Sequence, residues 1–351
     1  MPKILSGTIY SNRRFFDGCI EFDGGRIKRI SEEGVGKPSR LILPLIPNCH
    51  THVGDYCLRG RIDPSRGLDE LVRPPDGTKH RLLSAIGDDE LISGIYSALR
   101  EMRTNGTALF LDFREGGMKG VSLLNRALEL AGAPSAMIFG RPRNLEYDEA
   151  EIDQLLEYAE GIGLSALSDW RYDDMLQISQ HAKSRGKMFS LHASEARRED
   201  IGKILDLAPD FLVHMAMATG DDLMRCSHAN VPIVICPRSN STFNIPLDIS
   251  GMIDAGATVC LGTDNAMLNS LSMIEEMRAA YSLRSNSRAL RVEEVFQLAL
   301  ENPRKIINSK NLISISPGEP GSLMVVEAKK GLTPEALFGS NMPYSLRIIN
   351  R

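Results

Sequence analysis

Short apolar runs alternate with longer amphipathic stretches over most of this chain. The runs Leu41–Ile46, Thr107–Phe113, Ser135–Phe139, Gly163–Leu167, Met188–Leu191, Phe211–Val213, Pro232–Cys236 and Thr258–Leu261 are strand-like. Short, nearly continuous apolar runs suit strands buried on both faces of a parallel sheet. Between them, a period near 3.6 predicts helices over Asp88–Met102, Val121–Ala131, Glu149–Glu160, Tyr172–Arg185, Ala196–Asp206, Asp221–His228 and Ile249–Ala255. Met273–Leu283 and Glu293–Leu300 follow the last strand as two more. Strands that alternate with helices imply βαβ units. Eight of them predict an α/β protein with a (β/α)8 TIM barrel, a fold of ~250 residues, rather than an open sheet.

The two ends break this rhythm. Leu5–Tyr10, Gly18–Phe22 and Arg26–Ile30 read as strands separated by turn signals such as Phe22-Asp-Gly-Gly. Near the other end, Ser316-Pro-Gly-Glu-Pro-Gly is a double turn, and Ser322–Val326 and Leu346–Ile349 again look extended. The expectation is a small β-sandwich domain built from both termini, residues 1–43 with 312–351, beside a barrel over 44–311.

Composition removes several classes of function. The chain carries 41 Lys+Arg against 45 Asp+Glu, a formal net charge of −4. That is no electrostatic footprint for a nucleic acid polymer or an anionic membrane. No apolar run approaches the ~18 residues of a membrane span. The opening MPKILSGTIYSNRRFFDG lacks the apolar core of a secretory leader. The six cysteines form no CxxC pair, and Cys49, Cys236 and Cys260 lie within apolar runs. They read as reduced, buried thiols of a cytoplasmic protein rather than zinc ligands.

In a barrel, chemistry collects at the C-terminal ends of the strands. The first strand runs into Pro47-Asn-Cys-His-Thr-His, and alternate residues on extended chain face one side, so His50 and His52 share a direction. His192 ends the fifth strand, with Glu195 three residues on. His214 ends the sixth, and Asp264 follows the eighth. Each histidine alone reads equally as a packed side chain, Glu195 as first-turn acid of a helix, and Asp264 as a helix cap. Together they do not: four of only seven histidines sit at strand ends, with a carboxylate opposite. Imidazole nitrogen and carboxylate oxygen suit Zn²⁺ or Fe²⁺.

The ordered motifs resemble the metal-dependent amidohydrolase superfamily, in its nucleobase, nucleoside and triazine deaminase branch. They are Asn48-Cys-His-Thr-His with Leu58-Arg-Gly, His192-Ala-Ser-Glu, Cys236-Pro-Arg-Ser-Asn, Leu261-Gly-Thr-Asp with Met273-Ile-Glu-Glu-Met-Arg, and Asn302-Pro-Arg-Lys-Ile. The resemblance implies that His50, His52, His192 and Asp264 hold one divalent metal, Zn²⁺ first and Fe²⁺ second. It implies that Glu195 shuttles protons, that His214 contacts the metal-bound water or the substrate, and that Asp264 also takes the proton of that water. Two-metal relatives use a lysine on the fourth strand; Gly163-Leu-Ser-Ala-Leu-Ser-Asp has none, which favours a single metal. The implied reaction is hydrolytic deamination of a small amino-substituted heterocycle or nucleoside by a metal-bound hydroxide. The alternatives are cleavage of a cyclic amide or displacement of another leaving group on the same fold, and a non-catalytic binding protein. Members of the family are often homo-oligomers.

Further candidates for substrate contact follow other strands: Arg114, Arg141, Trp170, Ser239 and Asn240. Arginines there can bind an anion in bidentate fashion or be solvated loop residues, and Trp170 can stack on a ring, although a lone tryptophan beside a barrel more often packs. The arginine-rich loop 59–81 follows the first strand and is a candidate lid.

Overall fold

In the computed structural model, residues 3–32, 39–283, 288–307, 314–328, 332–339 and 344–349 are described. Among them the strands form two sheets. One is a ring of parallel strands: Ile46–His52, Thr107–Arg114, Ser135–Gly140, Gly161–Leu164, Met188–Ala193, Phe211–His214, Ile233–Ile235 and Val259–Leu261. The last strand breaks at Gly262-Thr263 and resumes as Asp264–Asn265, which pairs with the first strand, Asp264 opposite Thr51 and Asn265 opposite His52. The (β/α)8 barrel is thereby closed. Asn48 secures the seam: its Nδ2 donates to Thr263 Oγ1 at 2.7 Å, and Thr263 N donates to its Oδ1 at 3.0 Å.

The strands alternate as a closed barrel demands. Leu109, Leu111, Phe113, Phe139, Phe211, Val213, Val234 and Cys260 fill the interior. Phe110, Ile138, Leu212, Ile233 and Ile235 point the other way and pack with Ile95, Leu99, Leu124 and Leu155 of the surrounding helices. Side chains on successive residues of a strand face opposite sides, so one run supplies both cores.

The termini meet in the second sheet, in the order Tyr344–Ile349, Leu323–Ala328, Arg40–Pro44, Lys3–Ser11, Arg14–Asp23, Arg26–Ser31. Asn12-Arg13 and Gly24-Gly25 all have positive φ, as two-residue hairpin turns require. The expected strand Leu41–Ile46 divides here. Residues up to Pro44 pair with the terminal sheet, and residues from Ile46 enter the barrel. Pro44 and Pro47 flank the switch, and a single apolar run hides it from a reading by pattern. The expected boundary at 311/312 lies outside the described residues.

The six cysteines are unpaired, with Cys49, Cys226, Cys236 and Cys260 buried. No helix among the described residues is long and apolar enough to cross a membrane.

Candidate active site

The strand ends named from the sequence converge. His192 Nε2 lies 3.2 Å from His50 Nε2 and 3.4 Å from His52 Nε2. Asp264 Oδ1 lies 3.3 Å from His50 Nε2 and 3.6 Å from His52 Nε2. His214 joins the same cluster through His50 and His192. Its Nε2 is 3.5 Å from Glu195 Oε1.

Local folding sets these directions. Left-handed backbone at Ser194, His214, Met215 and Asp264 turns the chain at the ends of strands five, six and eight. Such conformations cost about 1–3 kcal/mol each in non-glycine residues and collect at functional sites. The ring of Phe113 forms an apolar floor, 4.7 Å from the His50 ring and 5.1 Å from that of His192. Asp264 Oδ2 is occupied, accepting from Ser239 Oγ at 2.5 Å and Asn265 Nδ2 at 3.2 Å. That leaves Oδ1 for the histidine cluster.

The donor set fits a cation. His52 Nδ1 contacts the Phe113 carbonyl at 3.1 Å and His192 Nδ1 the Leu164 carbonyl at 2.8 Å. A carbonyl only accepts, so each Nδ1 carries the hydrogen and each Nε2 presents a lone pair. Burial, with Lys79 nearby, pushes His52 down to about 3, and burial with the neighbouring histidines pushes His192 well below its usual value. Two neutral rings then face each other lone pair to lone pair. Among the described residues the buried Nδ1 of His50 has no hydrogen-bond partner either, and a metal ion accommodates nitrogens that converge in this way.

Glu195 completes the floor of a cleft lined by His52, His192, His214 and Asp264. Its side chain is 18% exposed. Burial, then the carboxylates of Asp264 and Asp69, hold it well above the usual carboxylate range. The helix expected over Ala196–Asp206 begins at Ile201. Asp200 caps it, accepting from Gly202 N and Lys203 N, while Ser194 and Glu199 exchange side chain to backbone hydrogen bonds at 3.0 Å. Glu195 therefore sits in a braced turn rather than in a first helical turn.

Of the other candidates, Arg141 lines the cleft. Ser239 acts on Asp264. Asn240 is buried on the following helix, Pro237–Thr242. Arg114 turns away to Asp112 and Glu115 and packs over Gly54. Trp170 is buried, with its Nε1 donating to Ser165 Oγ at 2.9 Å, so its ring belongs to the core. The loop 59–81 contains short helices at Pro64–Arg66 and Leu68–Val72 and the start of Thr78–Ala85, and it supplies Leu68, Asp69, Val72, Arg73, Pro74 and Lys79 to the cleft wall.

Sequence reasoning named Arg114 and Arg141 only as substrate contacts and missed the largely buried charge cluster behind His52 that they form with Asp55, Lys79, Asp112 and Glu115. Asp112, a lone acid inside an apolar strand, was the available signal. Lys79 gave none, because Asp76-Gly-Thr-Lys-His resembles any solvated helix start.

Gly262 shows how tightly the site is built. A Cβ there would lie 2.7 Å from His50 Cβ and 2.8 Å from His50 N. Gly262→Ala is expected to displace His50 and lower the divalent-metal content of the protein, measured by atomic absorption. The same content as the wild-type protein would show that the strand break absorbs the methyl group.

The chain matches the model of the Amidohydrolase family over residues 41–344. An uncharacterized protein of Methanocaldococcus jannaschii is 34% identical, with 90% of this chain and 86% of that protein covered. A 5-methylthioadenosine/S-adenosylhomocysteine deaminase of Pyrococcus furiosus is 24% identical over 95% of this chain and 84% of that one. Among solved structures, an adenosine deaminase from Xanthomonas campestris with bound zinc superposes with a TM-score of 0.77, at 17% identity, covering 95% of this chain and 88% of that one.

Proposed function

This chain belongs to the amidohydrolase family, and on that premise we propose that it is a metal-dependent hydrolytic deaminase of an amino-substituted purine-like heterocycle or nucleoside. The observation that carries the reading is the pairing of a cation-ready histidine–aspartate cluster with Glu195, whose carboxyl burial holds above the usual carboxylate range, on the same cleft. The deaminase named among its relatives supports the substrate class.

His50, His52, His192 and Asp264 would hold the metal, with Zn²⁺ as the proposed ion. When bound, a divalent ion of this kind acts as a Lewis acid and makes hydroxide available near neutral pH. Asp264, with Oδ2 fixed by Ser239 and Asn265, offers Oδ1 to the proton of the attacking water. Glu195 protonates a ring nitrogen, which makes the adjacent carbon electrophilic. After water adds, Asp264 passes the water's proton to the exocyclic amine, the C–N bond breaks and ammonia leaves, and the new hydroxyl returns a proton to Glu195 as the carbonyl forms. His214, pushed by burial to about 4, is a neutral imidazole that orients the oxygen at the reacting carbon.

Ammonia release from a panel of aminopurines, adenine nucleosides, aminopyrimidines and aminotriazines, with ring opening of cyclic amides followed alongside, tests the reading. We expect turnover of at least one purine-type member. Turnover of a cyclic amide, with none of the amines hydrolysed, would replace deamination by amide cleavage.

A further inference from the structure

Lysine is seldom buried without a task, and Lys79 is 3% exposed. It belongs to the helix Thr78–Ala85, within the strap that follows the first barrel strand and walls the cleft. Its Nζ lies 2.8 Å from Asp55 Oδ2 and 2.7 Å from Glu115 Oε1. The same Glu115 oxygen lies 3.0 Å from His52 Nδ1. A chain of close charged contacts therefore runs from the strap, through one carboxylate oxygen, to the Nδ1 edge of a proposed metal ligand, an edge that Glu115 shares with the Phe113 carbonyl.

Charge makes the path consequential. The buried cluster sets Asp55, Asp112 and Glu115 against Lys79, Arg114 and Arg141, and so is balanced. Asp55 lies on the turn Val53–Leu58; Asp112, Arg114, Glu115 and Arg141 belong to or directly follow barrel strands. Only Lys79 comes from the strap. Deleting it leaves two cations against three carboxylates out of water, and Glu115 loses the ammonium that shares its Oε1. The strap's other ion pairs across the cleft, Arg73 with Asp169 and Arg197 with Asp69, are 3.5 Å apart, and three of these four side chains are more than half exposed. Pairs of that kind hold little. The deep anchor is Lys79.

We propose that Lys79 is a positioning residue for the metal site: it draws Glu115 onto the Nδ1 edge of His52, so that docking of the strap fixes a ligand of the metal. The inference rests on the metal site proposed above. A carboxylate on the outer nitrogen of a ligating histidine raises its basicity and fixes its ring, and loss of such a partner typically costs ~10–100-fold in metal affinity or activity.

The test is a double-mutant cycle on the full-length protein, with Zn²⁺ affinity read by chelator competition and Co²⁺ spectra recorded on the same variants. Lys79→Met and Glu115→Gln should each weaken Zn²⁺ binding by ~10–100-fold. The double variant should be no worse than the weaker single, because both act through one path. The Co²⁺ visible bands should shift in both singles. Unchanged affinity in Lys79→Met, or defects that add in the double variant, would reduce Lys79 to a structural anchor and overturn the inference. Should Lys79→Met fail to fold, Lys79→Gln, which keeps a donor toward Glu115, is expected to give a smaller loss in the same direction; no loss there counts against the inference. A wild-type protein that binds no Zn²⁺ would instead overturn the metal reading, and this inference with it.

Discussion

Glu195→Gln is expected to lower kcat by about 10³-fold while leaving metal content unchanged, within the ~10²–10⁴-fold that general acid–base groups contribute. The amide keeps the size and the hydrogen-bonding reach of the carboxyl but cannot pass a proton at neutral pH. Glu195 pairs with His214 Nε2 at 3.5 Å and lies within 4.8 Å of the Asp264 carboxylate, outside the His50–His52–Asp264 set. The braced turn from Ser194 to Asp200 does not depend on it, since Ser194, Glu199 and Asp200 supply the hydrogen bonds. Fold and metal should therefore survive the change, and KM should move much less than kcat. Steady-state ammonia release and metal analysis on the same preparation check both halves. Full activity in Glu195→Gln would remove the proton shuttle from the mechanism; loss of metal along with activity would make Glu195 a ligand.

The positions of the proposed ligands were legible in the sequence because a barrel converts strand order into geometry. His50, His52, His192, His214 and Asp264 stand at the ends of strands far apart in the chain, and closure alone brings them together. Four things were not legible. The switch from terminal sheet to barrel at Leu45 lies inside one apolar run, and pattern carries no information about which sheet a buried residue joins. The division of arginine roles also escaped: Arg141 faces the cleft while Arg114 turns to Asp112, a choice made by neighbours on other strands. Trp170 was spent on the core through Ser165, which sequence spacing cannot distinguish from a stacking platform. Lys79 is the extreme case. Its importance comes only from partners on the first turn and second strand, so no local feature marks it.

Removing a proposed ligand should separate the two faces of the cluster. In His192→Ala, Zn²⁺ binding and ammonia release are both expected to fall below detection, because one nitrogen of a four-donor set is gone. Stability should respond differently. A ligand that binds only the native state stabilises it by RT ln(1 + [L]/Kd), ~4 kcal/mol at a thousandfold excess over Kd. At ~2 °C per kcal/mol for a domain of this size, wild-type Tm should rise on the order of 8 °C with saturating Zn²⁺. His192→Ala should show no such rise. Without metal its Tm should fall only modestly, by the cavity of the ring and the lost hydrogen bond from His192 Nδ1 to the Leu164 carbonyl. His192 Nε2 faces the His50 and His52 nitrogens at 3.2 and 3.4 Å. Removing a lone pair from that crowd relieves repulsion and offsets part of the cavity left by the ring. Calorimetry with and without Zn²⁺ gives all four values. A large loss of Tm in the metal-free variant would mean that His192 serves the apolar core beside Phe113 more than it serves a cation; a Zn²⁺-dependent rise surviving in His192→Ala would place the ion elsewhere. The contrast matters because a packed histidine and a ligand histidine look alike in sequence, and they differ in which state of the protein pays when the ring is removed.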